Sequence, residues 1–269
     1  MTSKIFIDQM HREVKIDSPP KRIVSLVPSQ TELLYDLGLN DCVVGQTLFC
    51  IHPADKHKTK TIIGGTKKLK LELILALQPD LIIGNKEENE QQQIEYLMQN
   101  ATVWMSDIYT LSDSLEMIQK IGEITNKKGV AEKIISDIND GFSILAKNLP
   151  VHNIKPKVAY FIWRDPYMVA GKNTFINDLL LKLGFENVFE NNSGRYPELN
   201  NSDLVEKNPE IILLSSEPYP FNLKHIEELQ QLLPKSKIYL VDGELFSWYG
   251  SRLQHSAAYF SELIHQIFN

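Results

Sequence analysis

Apolar residues along this chain alternate between short unbroken runs and stripes of helical period. One combination occurs twice, as Leu75-Ala-Leu-Gln-Pro-Asp-Leu-Ile-Ile83 and Leu204-Val-Glu-Lys-Asn-Pro-Glu-Ile-Ile212. Pro79 and Pro209 lack an N–H and disfavour helix in the preceding residue, so a helix must end at Gln78 and at Asn208. An acid follows each proline, then an apolar run, Leu81 to Ile83 and Ile211 to Leu214. Such runs are expected of strands covered on both faces in a parallel sheet.

A second pair of phrases repeats the order. Lys21 to Val27 reads as a strand, followed by Ser29-Gln-Thr-Glu32 with capping-box spacing, a helical face of Leu33, Leu34 and Leu37, and a stop at Gly38. In the other half Lys157 to Trp163 reads as a strand; Thr174 then opens a helix bearing Phe175, Leu179, Leu180 and Leu183, stopped at Gly184. Between the halves Val130, Ile134, Ile138, Phe142, Leu145 and Leu149 form a helical stripe, with a shorter helix over Ser112 to Ile124 before it. The stripe is either an ordinary amphipathic helix or a rigid spine, and no Gly/Ser/Pro-rich linker accompanies it, which favours the spine. The expected organisation is an N-terminal α/β lobe over 1–110, a helical spine over 111–150 and a C-terminal α/β lobe over 151–269.

With 269 residues, 43% of them apolar, the chain can bury two cores. Its net charge of −6 and scattered lysines exclude a nucleic-acid footprint. Enzyme motifs fail on inspection. Gly171-Lys-Asn-Thr174 resembles the end of a phosphate-binding loop, but Pro166 stands where that loop needs glycine. No glycine-flanked serine elbow and no His-Glu-x-x-His is present, and the acidic run Glu87-Glu-Asn-Glu90 is expected to open a helix. No catalytic residues are assigned. Cys50 and His52 form the one apparent metal pair, too few for a zinc site, so no protein-ligated metal is assigned. Cys42 and Cys50 are read as unpaired.

The stretch Pro20 to Leu34, Val44-Gly45, Leu71-Glu72 through Ile83, and Ala170-Gly-Lys-Asn-Thr174 resemble the cobalamin and iron-siderophore substrate-binding proteins of ABC importers, over residues 4–265. The resemblance implies an α/β fold of two Rossmann-like lobes with mainly parallel sheets, joined by a long backbone α-helix. It also implies a metal chelate, cobalamin or another corrinoid first and a ferric siderophore next, held in a cleft as transported ligand. No built-in cofactor and no catalysis are implied. The partners expected are that chelate and an ABC permease, with the protein a monomer and no nucleic acid involved.

In an open α/β lobe the ligand lies beyond the carboxyl ends of the strands, which selects the loops at 28–31, 47–53, 84–89, 163–167, 194–197, 215–219 and 246–252. Five of the 28 basic residues are arginines, and three of them, Arg164, Arg195 and Arg252, fall in these loops. Their planar forks suit carboxylate or amide oxygens on a ligand rim, although each also fits a loop salt bridge, Arg252 most readily. Phe49, Trp163, Tyr167, Tyr196, Phe246, Trp248 and Tyr249 offer flat apolar walls or core packing. Cys50 and His52 line the same loops, with His52 a candidate to approach the chelated metal.

By the resemblance, Phe49 stands where the family carries a tyrosine on the corrinoid, and Trp163, Arg195 and Phe246 fall in other pocket loops. The family docks on its permease through a glutamate seven residues before each proline. Glu72 matches before Pro79; Ser202 occupies the other position, with Asp203 adjacent. As written, Met1 to Asp8 lacks an apolar segment and a lipid-attachment cysteine, so a cytoplasmic location is expected, with a periplasmic or cell-surface one as the alternative. A cytosolic corrinoid or chelate carrier or sensor without a permease is the second functional expectation.

Overall fold

The computed structural model describes residues 2–151 and 154–268. The chain divides into two compact units, the first comprising Met1–Ile108, Ser112–Ile138 and Trp248–Gln254, the second Tyr109–Leu111, Asn139–Ser247 and His255–Asn269.

The first unit opens with an antiparallel hairpin, β1 (Thr2–Ile7) and β2 (Glu13–Ser18). There follow β3 (Ile23–Ser25), α1 (Pro28–Asp36), β4 (Val43–Gln46), α2 (Ala54–His57), β5 (Thr61–Ile62), α3 (Leu71–Ala76), β6 (Leu81–Asn85), α4 (Gln91–Asn100) and β7 (Val103–Ser106). Strands β3 to β7 form one parallel sheet in the order β5-β4-β3-β6-β7. Chain order therefore reverses between β3 and β6, and the loops leaving those two strands border the place where open α/β sheets bind ligands. Every residue of β6 is buried, as its unbroken apolar run predicts for a central strand.

The helix α5 (Leu111–Ile124) precedes α6 (Lys128–Asn148), whose 21 residues contribute to both units. Its stripe residues Ile134, Ile138 and Leu145 are buried.

The second unit contains β8 (Lys157–Trp163), β9 (Tyr167–Val169), α7 (Phe175–Lys182), β10 (Glu186–Asn187), β11 (Glu198–Leu199), α8 (Asn201–Lys207), β12 (Ile211–Ser215), α9 (Leu223–Leu232), β13 (Lys237–Val241), α10 (Gly243–Ser247) and most of α11 (Leu253–Phe268). Its sheet runs β11-β9-β8-β12-β13, with β10 also on β8; the β8-β12-β13 core is parallel and β9 and β11 are antiparallel additions. One face packs Phe161, Ile212 and Leu214 against Leu204 of α8 and Leu229 of α9. The expected fold class, two α/β units with mainly parallel sheets and a long helix, is what the chain adopts.

Local detail corrects three expectations. The helix after β3 begins at Pro28, with Val27 at the N-cap and no side-chain cap, so Ser29 and Glu32 form no capping box. Proline at the first helical position needs no partner for a missing N–H, and the Glu32 carboxylate is drawn to Arg252 instead. Strand β3 is shorter than Lys21 to Val27, because the N–H groups of Lys21 and Arg22 donate to the Asp80 carboxylate at 2.7 and 2.9 Å. The acidic run after β6 forms a turn rather than a helix start: Asn85 Oδ1 accepts from the N–H groups of Glu87 and Glu88 at 2.8 and 3.1 Å. The prolines act as expected. Helix α8 ends at Lys207 with Asn208, left-handed at φ 41°, as its C-cap, and α3 ends at Ala76, two residues before Gln78 at φ 47°.

Candidate functional site

In the first unit the loop after β4 carries three large apolar side chains with open surface, Leu48, Phe49 and Ile51, at 45, 51 and 44% exposure. Soluble domains seldom leave such a group in the open without use for it. The Phe49 ring lies over Gly65, where an added Cβ would stand 3.1 Å from it. The loop is held from below by Cys50, which is buried, with Sγ 3.1 Å from both Thr31 Oγ1 and Thr47 Oγ1. Gln46 Nε2 donates to Cys50 O at 3.1 Å, and Tyr35 donates to Gln46 Oε1. Burial pushes the Cys50 thiol up despite the hydroxyl contacts, so it stays a neutral packing group. Among the described residues no cluster of three or more His, Cys, Asp or Glu has metal-holding geometry.

Beside this loop sits the segment Trp248–Gln254. The His52 and Trp248 rings meet edge to face with centroids 5.4 Å apart, and the Arg252 guanidinium lies 4.8 Å from the Trp248 centroid. Arg252 grips Glu32 with two bonds, Nε to Oε2 at 2.9 Å and Nη2 to Oε1 at 2.7 Å. Tyr249 OH donates to Glu88 at 3.0 Å, and Ser114 donates to Tyr249 O at 2.7 Å. Burial, reinforced by Glu88, holds the Tyr249 hydroxyl well above its usual range, so it remains a donor.

In the second unit Trp163 is 41% exposed and packs edge to face on Tyr219 at 5.7 Å. Both residues leave strands adjacent in the sheet, β8 and β12. Arg164 turns aside: Nη2 lies 2.6 Å from Glu228 Oε2 and its guanidinium 5.9 Å from the Tyr167 centroid. Arg164, Tyr167, Glu228, Leu229 and Leu199 line a cavity of about 420 Å³. Arg195 stacks over Tyr109 at 4.6 Å, while Tyr196 beside it is half-buried. Phe246 has no exposed surface; it packs on Tyr160 and Phe260 at 4.9 and 4.6 Å and presents no face to a ligand.

The structure thus gathers Phe49, Cys50, His52, Trp248 and Arg252 into one cluster, places Trp163, Arg164 with Tyr167, and Arg195 with Tyr196 at separate points, and leaves Phe246 in the core. Sequence reasoning missed Glu32, Glu88, Tyr109, Tyr219 and Gly65. Tyr109 lies just past β7 and obeys the carboxyl-end rule, but Val103–Ser106 is too short a run to be read as a strand. Tyr219 lay in a selected loop without being singled out, and Glu32 was read as a cap. Of the proposed docking residues, Glu72 is exposed in α3 and accepts from Tyr96 OH at 2.8 Å. The Asp203 carboxylate accepts from Asn200 N at 2.8 Å and closes the capping box of α8.

Comparison with known proteins places this geometry. A vitamin B12-binding protein of Vibrio campbellii is 29% identical over 203 residues, covering 74% of this chain and 72% of its own. An uncharacterised ABC transporter substrate-binding lipoprotein of Bacillus subtilis is 24% identical, covering 96% of this chain and 84% of its own. The crystal structure of the periplasmic vitamin B12 binding protein of Vibrio cholerae superposes with a TM-score of 0.79 at 19% identity, covering 92% of this chain and 98% of that one, which shows a shared fold. These matches correct the expectation of a cytoplasmic location, since they are periplasmic or lipoprotein components and point outside the cytoplasm. The first residues of a folded body report no compartment, because targeting segments stand apart from the fold. A profile described as periplasmic binding protein matches residues 23–233, most of the chain, and the chain belongs to that family.

Proposed function

We propose that this protein captures a corrinoid of the cobalamin type on carboxyl-end loops of its first unit and passes it to an ABC permease. It is a substrate-binding protein, without catalysis or a built-in cofactor, and the reading extends the B12-binding relative's specificity to this chain. The observation that carries it is the Leu48-Phe49-Ile51 face, an open apolar surface on the loop braced by Cys50 and His52. A corrin ring offers a broad flat apolar plane to such a surface, and burying one Phe-sized side chain contributes about 1.5–3 kcal/mol.

Charge separates this ligand from an anionic ferric siderophore. Arg164 and Arg252 are each paired with a carboxylate of the same unit, Glu228 and Glu32, and Arg195 is stacked on Tyr109. A siderophore bearing several negative charges would need those forks, whereas neutral amides on a macrocycle need only hydrogen bonds and apolar contact. Glu72 on the exposed face of α3 is the proposed permease contact. Asp203, committed to its helix cap, contributes less, and the protein acts as a monomer.

Calorimetric titration of the purified protein with cyanocobalamin, cobinamide, haem and ferric siderophores tests the reading. Cyanocobalamin is expected to bind most tightly. Failure of every chelate to bind below roughly 10 μM, about −7 kcal/mol, overturns it.

A further inference from the structure

We infer that Glu32 and Arg252 are positioning residues: their pair touches no ligand but braces Trp248 against His52, and through His52 fixes the loop that presents Phe49. The inference deepens the proposed ligand reading and rests on it only for its affinity arm.

The segment Trp248–Gln254 arrives from the far end of the sequence and is bound into the first unit at the switch between β3 and β6. Gly250 approaches so closely that an added Cβ would stand 2.4 Å from Ser29 O at the start of α1. Tyr249 reaches Glu88 after β6, Ser251 donates to Asp36 of α1, and Arg252 takes both oxygens of Glu32. The crevice that an open α/β sheet offers at its switch point is therefore occupied here by the chain itself, and the open surface is displaced to the next loop, 47–53.

That loop is anchored at both ends. Its first half is tied through Leu48 N to Gly64 O at 2.9 Å and through the buried Cys50. Its second half, at His52, rests edge-on against Trp248, and Trp248 is covered in turn by the Arg252 guanidinium. The Arg252 and Glu32 side chains are only 14 and 15% exposed, and the fork is spent on the carboxylate. A guanidinium in that state serves as a plate beneath an indole rather than as a clamp on a ligand.

Two arms test this on the full chain. Affinity for cyanocobalamin is measured for wild type, Glu32→Gln, Arg252→Gln and the double variant. Both single variants should lose affinity by a similar factor, about five- to tenfold, and the double variant should be no worse than either. If Glu32→Gln, which frees the guanidinium, binds as tightly as wild type while Arg252→Gln weakens, Arg252 is a ligand contact and the inference is overturned. The second arm needs no ligand: in a Trp163→Phe background, where the buried Trp104 is a constant, His52→Ala should change the emission of Trp248, and that change should vanish in both Gln variants. A change that survives in them overturns the inference even if cyanocobalamin is the wrong ligand. Should the Gln variants not fold, Glu32→Asp and Arg252→Lys serve the same comparison, each lengthening or weakening the fork without removing charge.

Discussion

Two residues of the first unit show how much local chemistry rests on contacts distant in sequence. Gly250 is required by space: a methyl group there meets Ser29 O at 2.4 Å, inside any real carbon–oxygen contact, and that oxygen belongs to backbone that cannot swing away. Gly250→Ala should therefore cost about 1–3 kcal/mol, read as a lower urea midpoint at unchanged m. Glu32 is perturbed by opposing effects. Burial raises its carboxyl above the ordinary 4.5, and Asp36 adds to this, while Arg252 and His52 pull it down. A carboxyl raised in the folded state contributes stability that is full below its unfolded value and is lost as pH rises through the folded one. The stability difference between wild type and Glu32→Gln should accordingly change with pH above 4.5, in favour of wild type as pH falls. A difference flat across that window contradicts the burial of this group. Neither residue was legible in the sequence for this role, since Ser29 to Glu32 fits a capping box by spacing alone and only the fold brings Arg252 to it.

Elements were easier to read than residues because periodicity is set by secondary structure itself. The runs after Pro79 and Pro209 became the fully buried strands β6 and β12, and Thr174 caps α7, its side chain accepting from Asn177 N. Short elements escaped, β7, β9 and β11 among them, for want of enough residues to show a period. Substitutions should follow the same division. Leu214→Ala, in β12 with no exposed surface, should cost about 2–5 kcal/mol by calorimetric or urea unfolding. Glu72→Ala on the exposed start of α3 should leave stability within about 0.5 kcal/mol while reducing permease-dependent uptake of the chelate. Normal uptake by that variant would remove α3 from the docking surface.

At the scale of the whole molecule, the doubled helix-proline-strand phrase announced two α/β units, and the chain forms two, each with its own mainly parallel sheet. Less visible was the way the first unit is completed by Trp248–Gln254, residues remote in sequence, because no local pattern records a long-range return. That return pairs Arg252 with Glu32, and in the proposed arrangement the arginine is internal scaffolding and the ligand belongs to the apolar face around Phe49. The central claim is that a neutral, amide-rimmed chelate is held there by apolar and aromatic contact. Its most direct test is the dissociation constant of cyanocobalamin at low and at high salt, for wild type and Phe49→Ala. Expected are an affinity nearly independent of salt, since apolar and aromatic contact is proposed to drive binding, and a loss of about ten- to a hundredfold in the variant. An affinity that falls steeply with salt, or one that Phe49→Ala leaves unchanged, would contradict it.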